Sequence, residues 1–512
     1  MAVLVVLLVG VLTLVACITT FVHQHFNYWK RRGIPHEAPS IPFGNTSELM
    51  KTMQISDIFK RTYFLFRNKT DGPFVGFYMY FKKMVIVTDI DFAKTVLIRE
   101  FDKFHDRGIF HNEVDDPLTA NLVNIEGQKW KTLRQKLTPT FTSGKMKTMF
   151  PSVLNVGDEM IRVFERKISQ SKDSLEITDL LACFTADVIG CCAFGIDCNC
   201  LSDPKAEFVQ MGTAALTERR YGKTLDLFLF GAPKLAAKLR MKEYVQRVED
   251  FYMNIIRNTV DYRVKNKVKR NDFMDMLIDM KLKYDNGDKL NGLTFNEIAA
   301  QAFLFFLAGF ETSSTTMGFA LYELACNQDI QDKLRTEVDG VLEKHNGKLD
   351  YDSMREMTYL EKVIDETMRK RPVVGHLIRV ATQRYEHSNP KYYIEEGTGV
   401  IVPSWAIHHD PEFYPEPEMF IPERFDEEQV KQRPACTFLP FGDGPRNCIG
   451  LRFGRMQVIV GMALLIHNFR FELHPTKTVV PLEYKTDDIL LSSKGGIHLK
   501  VTRRINESSV TA

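Results

Sequence analysis

A cysteine near the end of the chain stands in a turn whose residue types favour a thiolate. Cys448 belongs to the stretch FGDGPRNCIG, residues 441–450, and an apolar segment with a helical pattern follows at residues 451–466. Gly442 and Gly444 can adopt positive φ at little steric cost, and Pro445 fixes a further φ. Backbone N–H groups in such a loop and the N-terminus of the next helix both favour a negative sulfur. The turn therefore suits a protected thiolate that ligates a metal, as haem iron requires, whereas a buried structural cysteine is the alternative.

A second set of reactive types lies within a long apolar segment, residues 293–324, which is expected to be a helix. It contains AGFETS at residues 308–313. Ala308 and Gly309 let a flat group approach the backbone closely. Thr312 can donate to the carbonyl of Ala308 and open the helix locally to water, and Glu311 adds an ionisable group. This combination suits proton delivery, although a helix with a small-residue packing face would show the same residues.

A third set pairs an indole with a guanidinium. Trp130 and Arg134 are four residues apart, so on a helix they share a face and can both reach one anion. An ordinary amphipathic helix explains the same spacing. Lysines surround the pair, and they form either a solvated surface or a docking surface for an acidic electron-transfer partner. These are Lys129, Lys131, Lys136, Lys145 and Lys147.

The pattern F-x-x-G-x-R-x-C-x-G at residues 441–450 resembles the haem-binding signature of the cytochromes P-450, the haem-thiolate monooxygenases. The likeness extends over nearly the whole chain and is strongest to insect microsomal members, in particular the fruit-fly type of family six, subfamily A. It implies a mainly helical, single-domain haem-thiolate fold with a small β portion, and haem b (iron protoporphyrin IX) as cofactor. The implied reaction inserts one atom of O₂ into a lipophilic small molecule, such as an insecticide, a plant toxin, a hormone or a lipid.

The resemblance also implies roles for individual residues. Cys448 would ligate the iron, and Thr312 and Glu311 are the candidate catalytic residues for oxygen activation. The expected haem-binding residues are Trp130, Arg134, Arg379, Arg446, Phe441 and Ala308, with His376 as a weaker candidate for a propionate. The expected substrate-lining residues are Phe110, Leu118 and Leu122 from the long connection at residues 101–125, and Leu490, Leu491 and Ser492 from a C-terminal hairpin.

A charged network is implied as well. The family joins a helical Glu and Arg, here Glu366 and Arg369, to the Arg of P-E-R-F, here Arg424. Such a buried triad specifies core geometry, and removal of one member should be severe. Lys370 and Arg371 depart from the family pattern, in which apolar residues are usual, so the packing at this helix end is open.

The N-terminus carries an uncharged apolar run, residues 2–22, followed by Lys30, Arg31 and Arg32. At about 1.5 Å per residue the run spans about 31 Å as a helix, enough to cross a hydrocarbon core of about 30 Å. A cleaved signal peptide is the alternative. We expect an anchor at residues 1–27, a basic and proline-rich hinge at 28–48, and a catalytic domain at 49–512. The positive-inside rule and the resemblance place that domain on the cytosolic face of the endoplasmic reticulum membrane.

A second membrane contact is expected at the apolar run of residues 225–230, which basic residues flank. Two groups of residues resemble zinc sites: the four cysteines at 191–200 and His408-His409-Asp410. We expect both groups to have structural roles. The net charge of +2 gives no signal for nucleic acid, and nine cysteines in 512 residues do not suggest a disulfide framework.

The chain contains neither G-x-G-x-x-G after a strand nor a P-loop. Electrons must therefore come from another protein; the resemblance points to NADPH–cytochrome P-450 reductase, with cytochrome b5 as a further candidate donor. Two alternative functions remain open at this stage. One is a haem-thiolate isomerase that rearranges peroxides, and the other is a haem protein that binds gas or carries electrons without substrate turnover.

Overall fold

The computed structural model describes residues 2–49, 51–171, 173–270 and 272–504; the end of the expected catalytic domain, residues 505–512, lies outside these ranges. Helices account for 56% of the chain and strands for 9%, which confirms the mainly helical class. The helices are α1 (Ala2–Phe26), α2 (Tyr28–Arg31), α3 (Ile55–Phe66), α4 (Ile90–Lys94), α5 (Gly127–Leu137), α6 (Ser143–Gln170), α7 (Ile177–Ile189), α8 (Glu207–Thr217), α9 (Lys223–Gly231), α10 (Pro233–Lys238), α11 (Gln246–Asn266), α12 (Phe273–Asp285), α13 (Phe295–Cys326), α14 (Gln328–Lys344), α15 (Tyr351–Met354), α16 (Thr358–Lys370), α17 (Ser404–His408), α18 (Glu427–Gln432) and α19 (Leu451–Asn468).

The strands form three small sheets. They are β1 (Phe74–Met79), β2 (Lys82–Val87), β3 (Leu175–Glu176), β4 (Leu377–Val380), β5 (Tyr385–Glu386), β6 (Tyr393–Ile394), β7 (Gly399–Val402), β8 (Phe469–Leu473) and β9 (His498–Arg503). The first sheet has the order β1-β2-β7-β4, in which only β2 and β7 run parallel. The second has the order β3-β9-β8, and β5 pairs with β6. The expected small β portion is therefore present, and its strands near the C-terminus, β8 and β9, pair antiparallel.

Helix α13 is the central element of the core. Its first turn has a capping box, in which Thr294 and Glu297 each accept the other's backbone N–H. Most of its length is buried against α7, α19 and α16, and its bounds lie close to the predicted 293–324. The helix is apolar around nearly its whole circumference rather than amphipathic, as expected for a helix that is buried in the core.

The N-terminal segment packs on the first sheet. Trp29 is fully buried, its indole N–H donates to the carbonyl of Phe77 at 3.2 Å, and its ring lies on Gly76, where a Cβ would come within 2.4 Å of the indole. Arg32 lies over the ring of Tyr393 at 3.5 Å. Two residues of the expected hinge segment, Trp29 and Arg32, therefore pack on the body of the protein.

The expected charged network is present and fully buried. Arg369 donates to both carboxylate oxygens of Glu366 at 2.6 and 2.9 Å, and Arg424 Nε lies 3.4 Å from the same carboxylate. The two unexpected cations have a partner on α13. Glu323, 1% exposed, lies 2.9 Å from Lys370 Nζ and 2.5 Å from Arg371 Nε. The sequence did not predict the packing at the C-terminal end of α16, and these ionic contacts with α13 provide it.

Candidate active site

An apolar cavity of about 480 Å³ lies inside the helical part of the molecule. Its walls come from α13, from the connection at residues 101–125, from β4 and the residues before it, and from the turn that contains Cys448. The C-terminal hairpin closes it through Ile489 and Leu490. A cavity bounded by one thiol, several guanidinium groups and many apolar side chains suits a flat, anionic-edged cofactor together with a lipophilic ligand.

Cys448 faces this cavity. Its backbone N–H donates to the carbonyl of Phe441 at 2.8 Å, which closes the turn. Gly442 and Gly444 have φ of +69° and +72°, as predicted, and a Cβ at Gly444 would lie 1.9 Å from the carbonyl oxygen of Leu97. Gly450 instead has φ of −87° and is the N-cap of α19. The sulfur therefore lies next to a helix N-terminus, as the sequence predicted.

The charge state of this thiol depends on opposing influences. Burial raises the pKa of Cys448, whereas a backbone hydrogen bond from Gly450 and the guanidinium groups of Arg134 and Arg107 lower it. Without a metal the thiol is thus the favoured form. A coordinating cation removes the proton outright, so this is a site that becomes a thiolate when a metal binds.

Four arginines line the cavity in addition to Arg455, which is paired with Asp365. Arg134 donates to the carbonyl and the side-chain oxygen of Asn447 at 2.8 and 2.9 Å, which fixes α5 to the Cys448 turn. Arg446 lies 4.5 Å over the ring of Trp130 and donates to the carbonyl of Ile125 at 2.7 Å. Arg379 donates only to the carbonyl of Ile378 in the described residues.

Sequence reasoning missed the fourth of these, Arg107. It donates to the carbonyls of Val123 and Arg446, and it lies in the irregular connection where no motif marks it. The only indication in the sequence was that Arg107 belongs to a connection expected to border the substrate pocket. The positive charges of these arginines outnumber the negative charges of the acidic side chains around them. The nearest ion-pair partner in the described residues is Asp106, 3.7 Å from Arg446.

This cluster fits the anionic edge of haem. Burial and mutual repulsion lower the pKa of Arg446 to about 8 and that of Arg379 to about 9, and burial lowers the pKa of Arg107 to about 10. The Nε groups of Arg379 and Arg446 are buried without a hydrogen-bond partner in the described residues. Buried cations with unsatisfied donors are stabilised by carboxylates, and porphyrin propionates supply two.

On the opposite wall, Ala308, Gly309 and Thr312 face the cavity. The Thr312 hydroxyl donates to the carbonyl of Ala308 at 2.5 Å, as the sequence predicted. Gln457 donates to the carbonyl of Gly309 at 2.8 Å, and this contact ties α13 to α19. The hydroxyl oxygen of Thr312 retains lone pairs that can accept from water or ligand.

Glu311 does not join Thr312 on the cavity wall. Its carboxylate lies 3.5 Å from the Thr315 hydroxyl, on the side of Asp488 and Lys485 of the C-terminal hairpin. Burial and Asp488 raise its pKa, against the effect of Lys485. Because consecutive residues on a helix point about 100° apart, the acid and the threonine face different surroundings.

The substrate-lining expectations are partly wrong. Leu122 and Leu490 line the cavity, but Leu118 and Leu491 are fully buried in the surrounding core. Phe110 packs with Leu229 and Ala236, and Ser492 donates to Asp488. A pattern of apolar residues does not show which of them face a cavity, because core and cavity wall demand the same side chains. Phe441, by contrast, lines the cavity as expected.

The other residue groups considered as metal sites have structural roles. His408 Nε2 accepts the N–H of Leu439 at 2.8 Å, His409 contacts the carbonyl of Trp405, and Asp410 accepts from the Tyr63 hydroxyl. Within the described residues, no group of three or more His, Cys, Asp or Glu side chains could hold a metal ion.

Comparison with known proteins agrees with this geometry. The family model described as "Cytochrome P450" matches residues 35–500. The chain belongs to the cytochrome P450 family. Among relatives from Drosophila melanogaster, the chain is 83% identical to probable cytochrome P450 6a20 over 503 residues, covering 98% of this chain and 100% of the relative. It is 68% identical to probable cytochrome P450 6a19 and 53% identical to probable cytochrome P450 6a23, with at least 97% of each chain covered.

Family membership decides the class of activity. The protein is a P450 monooxygenase, an oxidoreductase whose cofactor is haem, and it requires a redox partner and lipophilic substrates. Helix α1 is long and apolar enough to cross a membrane and is exposed along its length; the only other such helix in the described part of the chain, Ile177–Phe194, is 72% buried. The first is compatible with a membrane-anchored enzyme, and the second is a core helix.

Proposed function

We propose that this P450 oxidises lipophilic small molecules, either xenobiotics such as insecticides and plant toxins or endogenous hormones and lipids. The observation that supports this most directly is the apolar cavity that extends from Cys448 to the hairpin residues Ile489 and Leu490. Its lining is aliphatic and aromatic on most sides, so it favours apolar ligands over charged ones.

The side chains have distinct roles in this proposal. Bound haem supplies the iron at which molecular oxygen is activated. Cys448 provides the thiolate ligand, and Trp130, Arg107, Arg134, Arg379 and Arg446 hold the propionates. Thr312 holds a water molecule or ligand through its hydroxyl oxygen above the cavity floor. Glu311 exchanges protons with the hairpin side of α13, and water links it to Thr312.

Electrons reach the site from NADPH through a separate reductase, with cytochrome b5 as a second candidate donor. Helix α5 joins the protein surface to the thiol, because its Arg134 bonds to the residue before Cys448. Lys131 on the same helix is exposed and suits an acidic partner. Lys129, Lys136 and Lys147 are engaged instead with Glu113, the carbonyl of Gly292 and Asp352.

The enzyme works, in this proposal, on the cytosolic face of the endoplasmic reticulum membrane. Helix α1 anchors it, and α9 provides a second contact because Leu225 and Phe230 are 52% and 38% exposed. Exposed apolar residues flanked by cations are typical of interfacial helices. Leu229 points inward and packs with Phe110 of the 101–125 connection, so this contact would couple the membrane surface to the connection that borders the substrate site.

The first experiment is the optical spectrum of the reduced, carbon monoxide-bound protein. The wild type should give the Soret band of a thiolate-ligated haem, and Cys448→Ser should lose it while Cys436→Ser, a buried cysteine beside Asp443, should keep it. An imidazole-like band in folded wild type would overturn the ligand assignment.

The second experiment measures turnover of a panel of lipophilic probes with NADPH, O₂ and a purified reductase. Product formation that needs all three supports a monooxygenase of this type. Conversion of organic peroxides without NADPH or O₂, and no product with them, would instead support a peroxide-rearranging isomerase. A normal carbon monoxide spectrum with neither reaction would favour a non-catalytic haem protein.

A further inference from the structure

The wall of the cavity that faces the first sheet contains one imidazole, His376. It directly precedes β4 and lines the cavity beside Val373, Val374 and Leu377. Burial alone lowers its pKa to about 4, so the ring is neutral at physiological pH. The partial exposure of the side chain is therefore exposure to the cavity rather than to bulk water.

A serine on another element fixes the orientation of this ring. Ser56 Oγ lies 3.0 Å from His376 Nδ1, and Ser56 is 1% exposed. Its own position is fixed because Gln54, the N-cap of α3, accepts the Ser56 N–H at 2.6 Å. Phe59 contacts the imidazole edge to face, with ring centroids 5.0 Å apart. With Nδ1 occupied, Nε2 is the free polar atom; no hydrogen bond engages it within the described residues.

The position of His376 separates it from the arginine cluster. Side chains alternate between the two faces of a strand, so Leu377 and Arg379 share one face and Ile378 lies on the other. Leu377 lies against Gly442 of the Cys448 turn, whereas Ile378 packs with the cluster around Ile58 and Phe59. The Ser56 contact places His376 on the α3 side as well. A role at a haem propionate, which the sequence suggested weakly, therefore fits this position poorly.

On the opposite wall, Thr312 and Thr316 have already donated their hydroxyl protons, so these two hydroxyls can only accept. The hydroxyls of Thr312 and Thr316 donate to carbonyls of α13 at 2.5 and 2.7 Å. The walls next to His376 are aliphatic, from Val373, Ile489 and Leu490. A hydrogen-bonding ring nitrogen within an apolar wall favours a ligand whose polar atom reaches that point, since an apolar ligand there would leave the nitrogen unpaired.

We propose that His376 Nε2 forms a hydrogen bond with an oxygen function, a hydroxyl or carbonyl, of the lipophilic substrate, and that Ser56 is the positioning residue. The enzyme then prefers oxygenated lipophiles to hydrocarbons of the same shape. Because the ring is neutral, it confers no preference for carboxylates. This inference deepens the proposed function, since it names the substrate class of the same cavity.

The test uses the full-length haem-loaded enzyme and two matched probes, menthol and p-menthane, which differ by one hydroxyl. Equilibrium dialysis gives the two dissociation constants directly, without turnover. The ratio of the p-menthane to the menthol dissociation constant should be about tenfold higher in wild type than in His376→Phe, as one buried hydrogen bond allows, because in the variant the menthol hydroxyl loses water without gaining a partner. His376→Asn should lower the ratio less than His376→Phe, and Ser56→Ala should lower it by a smaller factor still.

Two outcomes would overturn the proposal. The first is an unchanged ratio of the two dissociation constants in His376→Phe. The second is loss of haem from His376→Phe, measured as haem absorbance per protein, which would return His376 to the propionate site. The carbon monoxide spectrum of wild type is read on the same sample, so failure of this proposal is distinguished from failure of the proposed function.

Discussion

The division of roles between Thr312 and Glu311 is testable at the level of the residue. Thr312→Ala removes the hydroxyl that faces the cavity and should keep haem and ligand binding. Product formed per NADPH consumed should fall several-fold, because water would no longer be held at the site. Thr312→Ser keeps the hydroxyl and is the matched control. Unchanged coupling in Thr312→Ala would exclude Thr312 from proton delivery.

Glu311 should behave differently because its carboxyl lies on the hairpin side of α13. Glu311→Gln should slow turnover while the spectral response to ligands stays unchanged. If Glu311→Gln instead altered ligand affinity, its carboxyl would lie on the cavity wall beside Thr312, contrary to the contact between Glu311 and Thr315.

Glu323 illustrates a residue whose partners could not be found from sequence. It is almost fully buried and contacts both Lys370 and Arg371. Glu323→Gln should cost about 3–5 kcal/mol in the free energy of unfolding, because it leaves buried Arg371 without its carboxylate. Lys370→Ala is the control and should cost less, since Arg371 remains. A urea titration of both variants checks this, and equal stability of Glu323→Gln and wild type would contradict it.

At the scale of elements, a seam of buried carboxyl groups lies where the 101–125 connection meets the segment before α11. Asp116, in the 101–125 connection, accepts the N–H groups of Glu243 and Tyr244 at 2.6 and 3.4 Å. One oxygen of Asp116, one of Glu243 and one of Asp226 are buried without a hydrogen-bond partner in the described residues. Arg219 is the cation that lowers the pKa of Glu243.

This seam should loosen as pH rises. Burial and the neighbouring Asp116 raise the pKa of Glu243 from 4.5 to about 8, and burial raises that of Asp116 from 3.8 to about 6. Glu249 also raises the pKa of Asp116, while Lys242 lowers it. A raised folded-state pKa contributes stability that is present at low pH and is lost as pH rises through the folded value.

We therefore expect hydrogen exchange within residues 219–245 to accelerate between pH 6 and pH 8.5, beyond the intrinsic chemical rate. Glu243→Gln should remove most of this acceleration because it cannot ionise. Glu218→Gln, at an exposed ion pair with Arg247, should leave it unchanged. The same acceleration in Glu243→Gln would mean that other ionisable groups control hydrogen exchange in these residues.

Much of this architecture was predictable from sequence where local signals and family motifs agreed. The Cys448 turn and α13 were predicted because residue spacing records them, and the Glu366 network was predicted because the family resemblance implies it. Arg107, His376 and Gln301, which donates to and accepts from the backbone near Leu122, could not be placed in the same way. Their partners lie in distant parts of the chain, and an irregular connection has no periodicity from which to infer orientation.

At the scale of the whole molecule, the apolar helix α1 meets the body near Trp29. The Trp29 side chain is fully buried against Gly76 and Phe77, whereas α1 is exposed over residues 2–21. The exposed apolar helix and the short helix that packs on the sheet are therefore separable parts. In the proposed membrane-anchored enzyme, the residues that follow α1 would orient the body on the membrane surface.

Two truncations of the chain test this separation. Deletion of residues 2–21 removes only exposed apolar surface, so the free energy of unfolding in mild detergent should hardly change. Deletion of residues 2–33 also removes Trp29, and it should cost at least the about 3–5 kcal/mol typical of a buried Trp→Ala change. Full-length Trp29→Ala should lose a similar amount while it still binds membranes. Equal stability of the two truncations would show that the Trp29 contact contributes nothing to the free energy of unfolding. Residues 28–48 would then act only as the basic and proline-rich hinge that the sequence predicted.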